Sequence, residues 1–403
     1  MDLRFGEAYE KLREEVRRFC AESWPLRGEE GRLPEEEQAI LFRKRAIEAG
    51  FLFRTVPREY GGAGGETDVL AETVIRQELD AARTPHRSSV QGTHMLVPTL
   101  LECGSEEQKQ RYIARTLTGE LRWCQGYSEP GAGSDLASLQ SRAELVGDAW
   151  VLHGQKIWTS QADAAHMMFG LFRTEPEAPK HAGISYLLVP MDSPGLEVRP
   201  LRMMNGSQDF CEVFFDGVRI PAENLVGGRG EGWKVSRATL KHERMLIGDA
   251  TGARRSFDEL LALARRTRRG GQRAIEDPAV RQRLAEIEGY VVAQEYAVAR
   301  MLSALHRNED AKVMSELLMA KLFSTNTGQH IAGLAIDLLA ENGLQTPSAE
   351  EAAMGVPHEY RDGYWVSYFM MTLGSAIAGG ASNIQRNIIG ERLLGLPRDP
   401  RPS

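Results

Sequence analysis

Residues Tyr127 to Asp135 read YSEPGAGSD, a stretch in which glycines, hydroxyls and one proline crowd around two carboxylates, Glu129 and Asp135. Glycine has no Cβ, so a ligand or another backbone can approach closely, and Ser128 and Ser134 add short hydroxyls beside exposed N–H groups. Such a loop suits a phosphate or the polar edge of a cofactor. Pro-Gly and Gly-Ser clusters are also ordinary turn punctuation, so the loop alone leaves both readings open. It is not a dinucleotide fingerprint, because in GAGSDL the third glycine's place is taken by Leu136. The other glycine-rich stretch, VPREYGGAGG (Val56 to Gly65), lacks both the GxGxxG spacing and the strand-to-helix placement.

The hydrophobic period changes on either side of this loop. From Met1 to about Leu121, segments such as EEEQAILFRKRAIEAGF and DVLAETVIRQELDAA place apolar residues every three or four positions, the signature of amphipathic helices. From Arg122 to about Trp233 the runs are short, alternating and punctuated by turns. Gly147-Asp148 precedes AWVLHG, with Trp150 and Leu152 on one face, and Asp216-Gly217 predicts a hairpin between EVFF and VRIP. After GEGWKVS the helical period returns. Asp277 is placed to cap a helix with Pro278 in its first turn, and Val280, Leu284, Ile287, Val291, Val298, Leu302 and Leu305 form a heptad-like core stripe. RRTRRGGQRAIED reads as a solvated connection between two helices, with contact to an anionic ligand or a partner subunit as the alternative. The expectation is an α+β multidomain protein: an N-terminal α-helical domain over residues 1–121, a middle β domain over 122–233 and a C-terminal helical domain over 234–403.

Composition narrows the function. A chain of 403 residues, 42% hydrophobic and 26% charged, has the makeup of a globular protein with substantial cores, and a net charge of −7 argues against a dedicated nucleic-acid binder. The start, MDLRFGEAYEKLREEVRRFCAESW, mixes acids and bases along a helical period unlike a signal peptide, and no apolar run approaches the roughly 20 residues that span a bilayer. A cytoplasmic location without membrane insertion is therefore expected. The four cysteines are far apart with no CxxC pair, and the nine histidines lack ligand-like spacing, so neither a metal site nor a disulfide framework is expected. His242, flanked by ionisable groups, reads as an exposed or capped helix residue, not a catalytic one.

Five collinear stretches resemble the acyl-CoA dehydrogenase family over essentially the whole chain: VPREYGGAG, YSEPGAGSD, GQKIWTS, EVFFDGVRIPAENLVG and NIQRNIIGERLLGLPRD. The resemblance implies a helical domain, a small β domain and a C-terminal four-helix bundle, FAD as cofactor, and a homo-oligomer, a tetramer or dimer. It also implies an acyl-CoA substrate, an electron-transfer flavoprotein or similar acceptor, and a place in fatty acid metabolism. Carried over by position, Gln125, Tyr127, Ser128 and Gly133 lie along the flavin, and Ser134 falls where a serine contacts CoA. Trp158, Thr159 and Ser160 match the second flavin segment, with the indole beside the ring and a hydroxyl or backbone N–H at its polar edge. Asn383 falls in the C-terminal flavin loop, where Ala381 replaces the usual threonine.

The family's reaction takes a proton from the α carbon of an acyl thioester and passes a hydride from the β carbon to flavin N5, leaving a trans-2-enoyl-CoA. The protein must supply a positioned carboxylate, hydrogen bonds to the thioester carbonyl and a dry site. Many members carry the base in a YEGT segment before the IQR of the last motif. Here that stretch is AIAGGASNIQR, and the position falls on Gly379, which cannot abstract a proton. Isovaleryl- and long-chain-type members instead place the base after the β domain, in a segment like LDLER. This chain has LKHERMLIG there, Leu240 to Gly248, which puts Glu243 at the base position, Arg244 at a CoA-contacting position and Lys241 beside it.

Two motifs depart from the family. RxxFG, which usually reaches the neighbouring subunit's FAD, is absent, and QxxGGxG has become DLLAENG, Asp337 to Gly343. Two other functions follow from the same fold: an oxygen-using flavin oxidase or monooxygenase, and a non-catalytic CoA-binding subunit of a hetero-oligomer. Gly379, Gly380 and Ala381 leave space for a branched or bulky acyl group.

Overall fold

A computed structural model describes residues 6–246, 250–307, 310–348 and 362–397, with the side chains of 241–246, 250, 305–306 and 310–316 outside that description. The chain forms two compact units, one of Met1–Pro200 with Phe210–Glu243 and the other of Leu201–Asp209 with Arg244–Ser403.

The first unit opens with helices α1 (Glu7–Ser23), α2 (Glu35–Glu48), α3 (Val69–Ala81), α4 (Val97–Cys103) and α5 (Glu106–Thr118). Local sequence sets their starts. Asp68 accepts hydrogen bonds from the amides of Leu70 and Ala71, and Ser105 with Gln108 forms a reciprocal capping box at α5. Helices α1 and α3 are joined at Glu78, a buried carboxylate held by Arg13 at 2.5 Å and Arg17 at 2.6 Å. A six-residue π turn, Gln91–Leu96, leads into α4.

Eight strands follow: β1 (Trp123–Gly126), β2 (Arg142–Val146), β3 (Ala149–Ser160), β4 (Met167–Arg173), β5 (Ile184–Pro190), β6 (Leu196–Leu201), β7 (Phe210–Pro221) and β8 (Leu225–Val226). They form one sheet in the order β6-β7-β3-β2-β4-β5-β8, with β1 parallel to β4. Gly147-Asp148 makes a two-residue hairpin, with Val146 paired to Ala149 and Gly147 at φ 67°. Trp150 and Leu152 are both buried on the same face.

Asp216-Gly217 is not a hairpin. β7 runs unbroken from Phe210 to Pro221 against β3, and the register slips between the Leu152–Val218 and His153–Asp216 pairs. Gly217, at φ 66°, absorbs one extra residue as a bulge, and its amide donates to His153 Nδ1 at 3.2 Å. A left-handed glycine serves a bulge as well as a turn, and pairing along a twelve-residue partner strand decided between them.

β8 leads to helix α6 (Gly232–Leu246). The second unit holds α7 (Ala250–Arg266), α8 (Pro278–His306), α9 (Asp310–Leu339), α10 (Asp362–Ser375) and α11 (Ser382–Arg392). The amide of Ala279 donates to Asp277 Oδ1 at 2.8 Å, so the cap forms as expected. Val280, Leu284, Ile287 and Val291 are buried with Phe257, Ile331, Leu334 and Trp365. Farther along the stripe, Val298 and Leu302 are half-buried, and Leu305's side chain lies outside the described residues. The arginine-rich connection is an exposed hairpin, Arg268–Arg269 against Gln272–Arg273, turning on two left-handed glycines, Gly270 and Gly271. No helix among the described residues is long and apolar enough to cross a membrane.

Candidate active site

The loop that follows β1 is built around a buried carboxylate. Glu129 and Ala132 exchange backbone hydrogen bonds of 2.9 and 3.0 Å, closing a turn over Pro130-Gly131. The Glu129 side chain points inward. It accepts from the amides of Gln140 at 2.6 Å and Ser141 at 2.9 Å and from Lys156 Nζ at 2.7 Å. Lys156 is wholly buried on β3, with its Nζ 3.3 Å from the Tyr127 carbonyl and 5.1 Å from the centre of the Phe172 ring. Burial alone would raise the Glu129 carboxyl, but Lys156 and the two amides outweigh it and hold it below the ordinary carboxylate range. Burial pushes the Lys156 ammonium down to about 8 against the pull of Glu129, so the pair is ionised at neutral pH.

This pair ties two sequence-predicted segments together. The Ile157 amide donates to the Ser128 carbonyl at 2.9 Å, so Tyr127 and Ser128 lie alongside Lys156 and Ile157. Immediately beyond, the β3–β7 register breaks between the Lys156–Val213 and Thr159–Cys211 pairs, and Trp158 adopts φ 61°. For a bulky aromatic residue that backbone is strained. The Trp158 indole stands 54% exposed, braced edge-on by Phe210 at 6.2 Å. Thr159 turns inward, and its buried hydroxyl has no hydrogen-bond partner among the described residues. Ser160 is half-buried.

Under the loop, Tyr127 is buried edge-on to Phe169 at 6.0 Å and Tyr186 at 6.3 Å, and those two rings stack on each other. Gln125 is half-buried on β1. On the outer side Gly133 and Ser134 are exposed, and a Cβ at Gly131 or Gly133 would meet nothing within 4 Å. Asp135 anchors that end through Lys180 at 2.7 Å and Ser138 at 2.5 Å, Lys180 first among the groups that keep its carboxyl acidic. A flat exposed indole on a strained bulge, an unmet hydroxyl beneath it and an open glycine loop alongside fit a planar cofactor with polar edges.

Lys241, Glu243 and Arg244 fall in the closing turns of α6, and their side chains lie outside the described residues. The start of that helix is fixed. A Cβ on Gly232 would stand 2.5 to 2.7 Å from backbone atoms of Ser185 and Tyr186, so only glycine lets α6 begin this close to β5. In the second unit, Gly379 and Gly380 are exposed with φ of 61° and 95°. Asn383 is exposed near the start of α11 and accepts from Arg386 at 3.1 Å.

Glu129 and Lys156 were not singled out from the sequence, although a signal existed: Lys156 shares the strand parity of Trp150 and Leu152, an inward position where a lysine needs a partner. Because the Glu129 carboxyl is depressed, its stabilisation is complete above the ordinary carboxylate value and is lost as pH falls through the folded one. Melting temperature is therefore expected to drop on acidification from about pH 5 to about pH 3, with a shallower drop in Glu129→Gln. Parallel acid limbs in the two proteins would contradict this.

Three family models match in chain order: acyl-CoA dehydrogenase N-terminal domain over residues 6–120, middle domain over 124–218 and C-terminal domain over 230–394. Among named relatives, acyl-CoA dehydrogenase IpdE1 of Mycobacterium tuberculosis is 38% identical over 377 residues, 93% of this chain and 91% of that protein. Among solved structures, the Tcur3481–Tcur3483 steroid ACAD is 30% identical with a TM-score of 0.77, covering 99% of this chain and 100% of that one. The ChsE4–ChsE5 complex from Mycobacterium tuberculosis is 28% identical, also with a TM-score of 0.77, covering 99% and 100%.

Proposed function

The chain belongs to the acyl-CoA dehydrogenase family, and from that premise we propose that it converts an acyl-CoA thioester to the trans-2-enoyl-CoA with Glu243 as the base that removes the α proton. Members of this family use FAD, which when bound supplies the acceptor for the hydride leaving the β carbon. The chain's own groups hold the reactants. Gln125, Tyr127, Ser128 and Gly133 form the loop side of the cofactor site, and Trp158 lays its indole against the ring while Ser160 and the backbone of the bulge offer polar contacts. Thr159 supplies the buried hydroxyl beneath that surface. Ser134, Lys241 and Arg244 address the CoA portion, and Asn383 takes a polar edge of FAD. A carboxylate excluded from water beside the acyl chain has its affinity for a proton raised, which suits it to act on a weakly acidic α carbon.

One observation carries the assignment of the base: at Gly379, the alternative base position, the chain has no side chain and a left-handed backbone. The acyl group is proposed to be bulky and ring-bearing, since the glycine pair at 379–380 leaves room and a related structure is a steroid ACAD. An anaerobic titration of the yellow protein with a panel of acyl-CoAs tests this reading. Bleaching of the flavin band by ring-bearing thioesters in preference to straight chains is the expected result, and bleaching by none overturns it. The relative crystallised as the ChsE4–ChsE5 complex favours a second reading of assembly, in which this chain pairs with a different family member. Purified alone, such a chain would lack flavin until its partner is added.

A further inference from the structure

The Glu129–Lys156 pair lies behind the surface that meets the cofactor and belongs to neither the acid-base chemistry nor the CoA contacts. It is an expensive arrangement. Each charge is stripped of water, with Lys156 wholly buried and Glu129 8% exposed, and buried ion pairs are often no more stabilising than apolar residues of equal volume. Stability alone therefore gives little reason to keep one here. Its geometry gives another. The ammonium reaches both Glu129 and the Tyr127 carbonyl from β3, while Glu129 gathers the amides of Gln140 and Ser141 where the loop returns to the sheet. Both ends of the glycine loop thus converge on one carboxylate. Lys156 is also the last residue in regular register before the bulge that exposes Trp158.

We propose that Glu129 and Lys156 are positioning residues for FAD: their ion pair locks the loop carrying Tyr127, Ser128 and Gly133 to the bulge carrying Trp158, so that the two sides of the cofactor site keep one spacing. The inference rests on the reading of these segments as flavin contacts. Neither side chain is asked to touch the cofactor. Both act through backbone, Lys156 on the Tyr127 carbonyl and Glu129 on the amides of Gln140 and Ser141, and glycines leave the loop's own backbone weakly determined.

The test separates positioning from mere folding. Apoprotein is titrated with FAD, following the quenching of flavin fluorescence, and its melting temperature is recorded alongside, for the native chain, Lys156→Met and the double variant Glu129→Gln/Lys156→Met. Lys156→Met strands a buried carboxylate and is expected both to melt earlier and to bind FAD more weakly, by about tenfold or more, the scale on which contacts behind a ligand's direct partners are felt. The double variant decides, because it removes both charges: melting returns toward the native value while FAD affinity stays at least about tenfold weaker. FAD affinity within about twofold of native in the double variant overturns the proposal and leaves the pair a packing element. A native chain that takes up no FAD, alone or with a partner chain, overturns the flavin reading itself.

Discussion

Replacing Glu243 by glutamine is expected to lower acyl-CoA turnover by about 10²- to 10⁴-fold, the range a positioned general base contributes, while the protein stays yellow and binds its ligand. Glutamine keeps the size and the hydrogen-bonding reach of the side chain and removes only the capacity to accept the α proton. Glu243→Asp retains the carboxylate but withdraws it by one methylene, so an intermediate loss is expected. Rapid mixing of each oxidised variant with substrate under anaerobic conditions, following the flavin band, measures the step directly. An unchanged bleaching rate in Glu243→Gln would move the base elsewhere. The FAD titration gives the control, since a lost base leaves cofactor affinity intact and a damaged positioning pair does not.

Gly232→Ala carries the second large effect. The added Cβ meets the backbone of Ser185 and Tyr186 at 2.5 to 2.7 Å, where no side-chain rotation can relieve it, so the start of α6 must move away from β5. Overpacking of this kind costs about 1–3 kcal/mol, and the melting temperature should fall by several degrees. The consequence for chemistry is larger. Glu243 stands eleven residues farther along the same helix, and a helix transmits a shift of its first turn to its last. A displacement of about 1 Å at a reacting group costs about a hundredfold in rate. Gly252→Ala is the matched control, because its Cβ, in the first turn of α7, would meet nothing within 4 Å among the described residues and alanine favours helix. Equal turnover in the two alanine variants would mean that the start of α6 does not set the base.

Much of this was legible in the sequence because it is local. The switch from a period near 3.6 to alternation and back gave helices, sheet and helices in the right order, and Asp68, Ser105 and Asp277 cap where cap residues should. Asp216-Gly217 misled because the same two residues suit a turn and a bulge. What separates the two is whether β3 continues alongside, which is a fact about His153, 63 positions from Asp216, and its strand, not about the dipeptide. The Trp158 bulge was hidden for the same reason. Alternation along β3 would have put Trp158 inside with Lys156, and the register break turned it out and Thr159 in. Glu129 and Lys156 stand 27 positions apart, so the pair became visible only once the loop had been folded back against the strand.

The glycine pair at 379–380 also limits how this enzyme can change. A glutamate restored at position 379 would inherit a φ of 61°, a left-handed backbone that costs an L side chain about 1–2 kcal/mol. Under the proposed placement of the base, redesign of the active site is therefore better begun from α6 than from this turn.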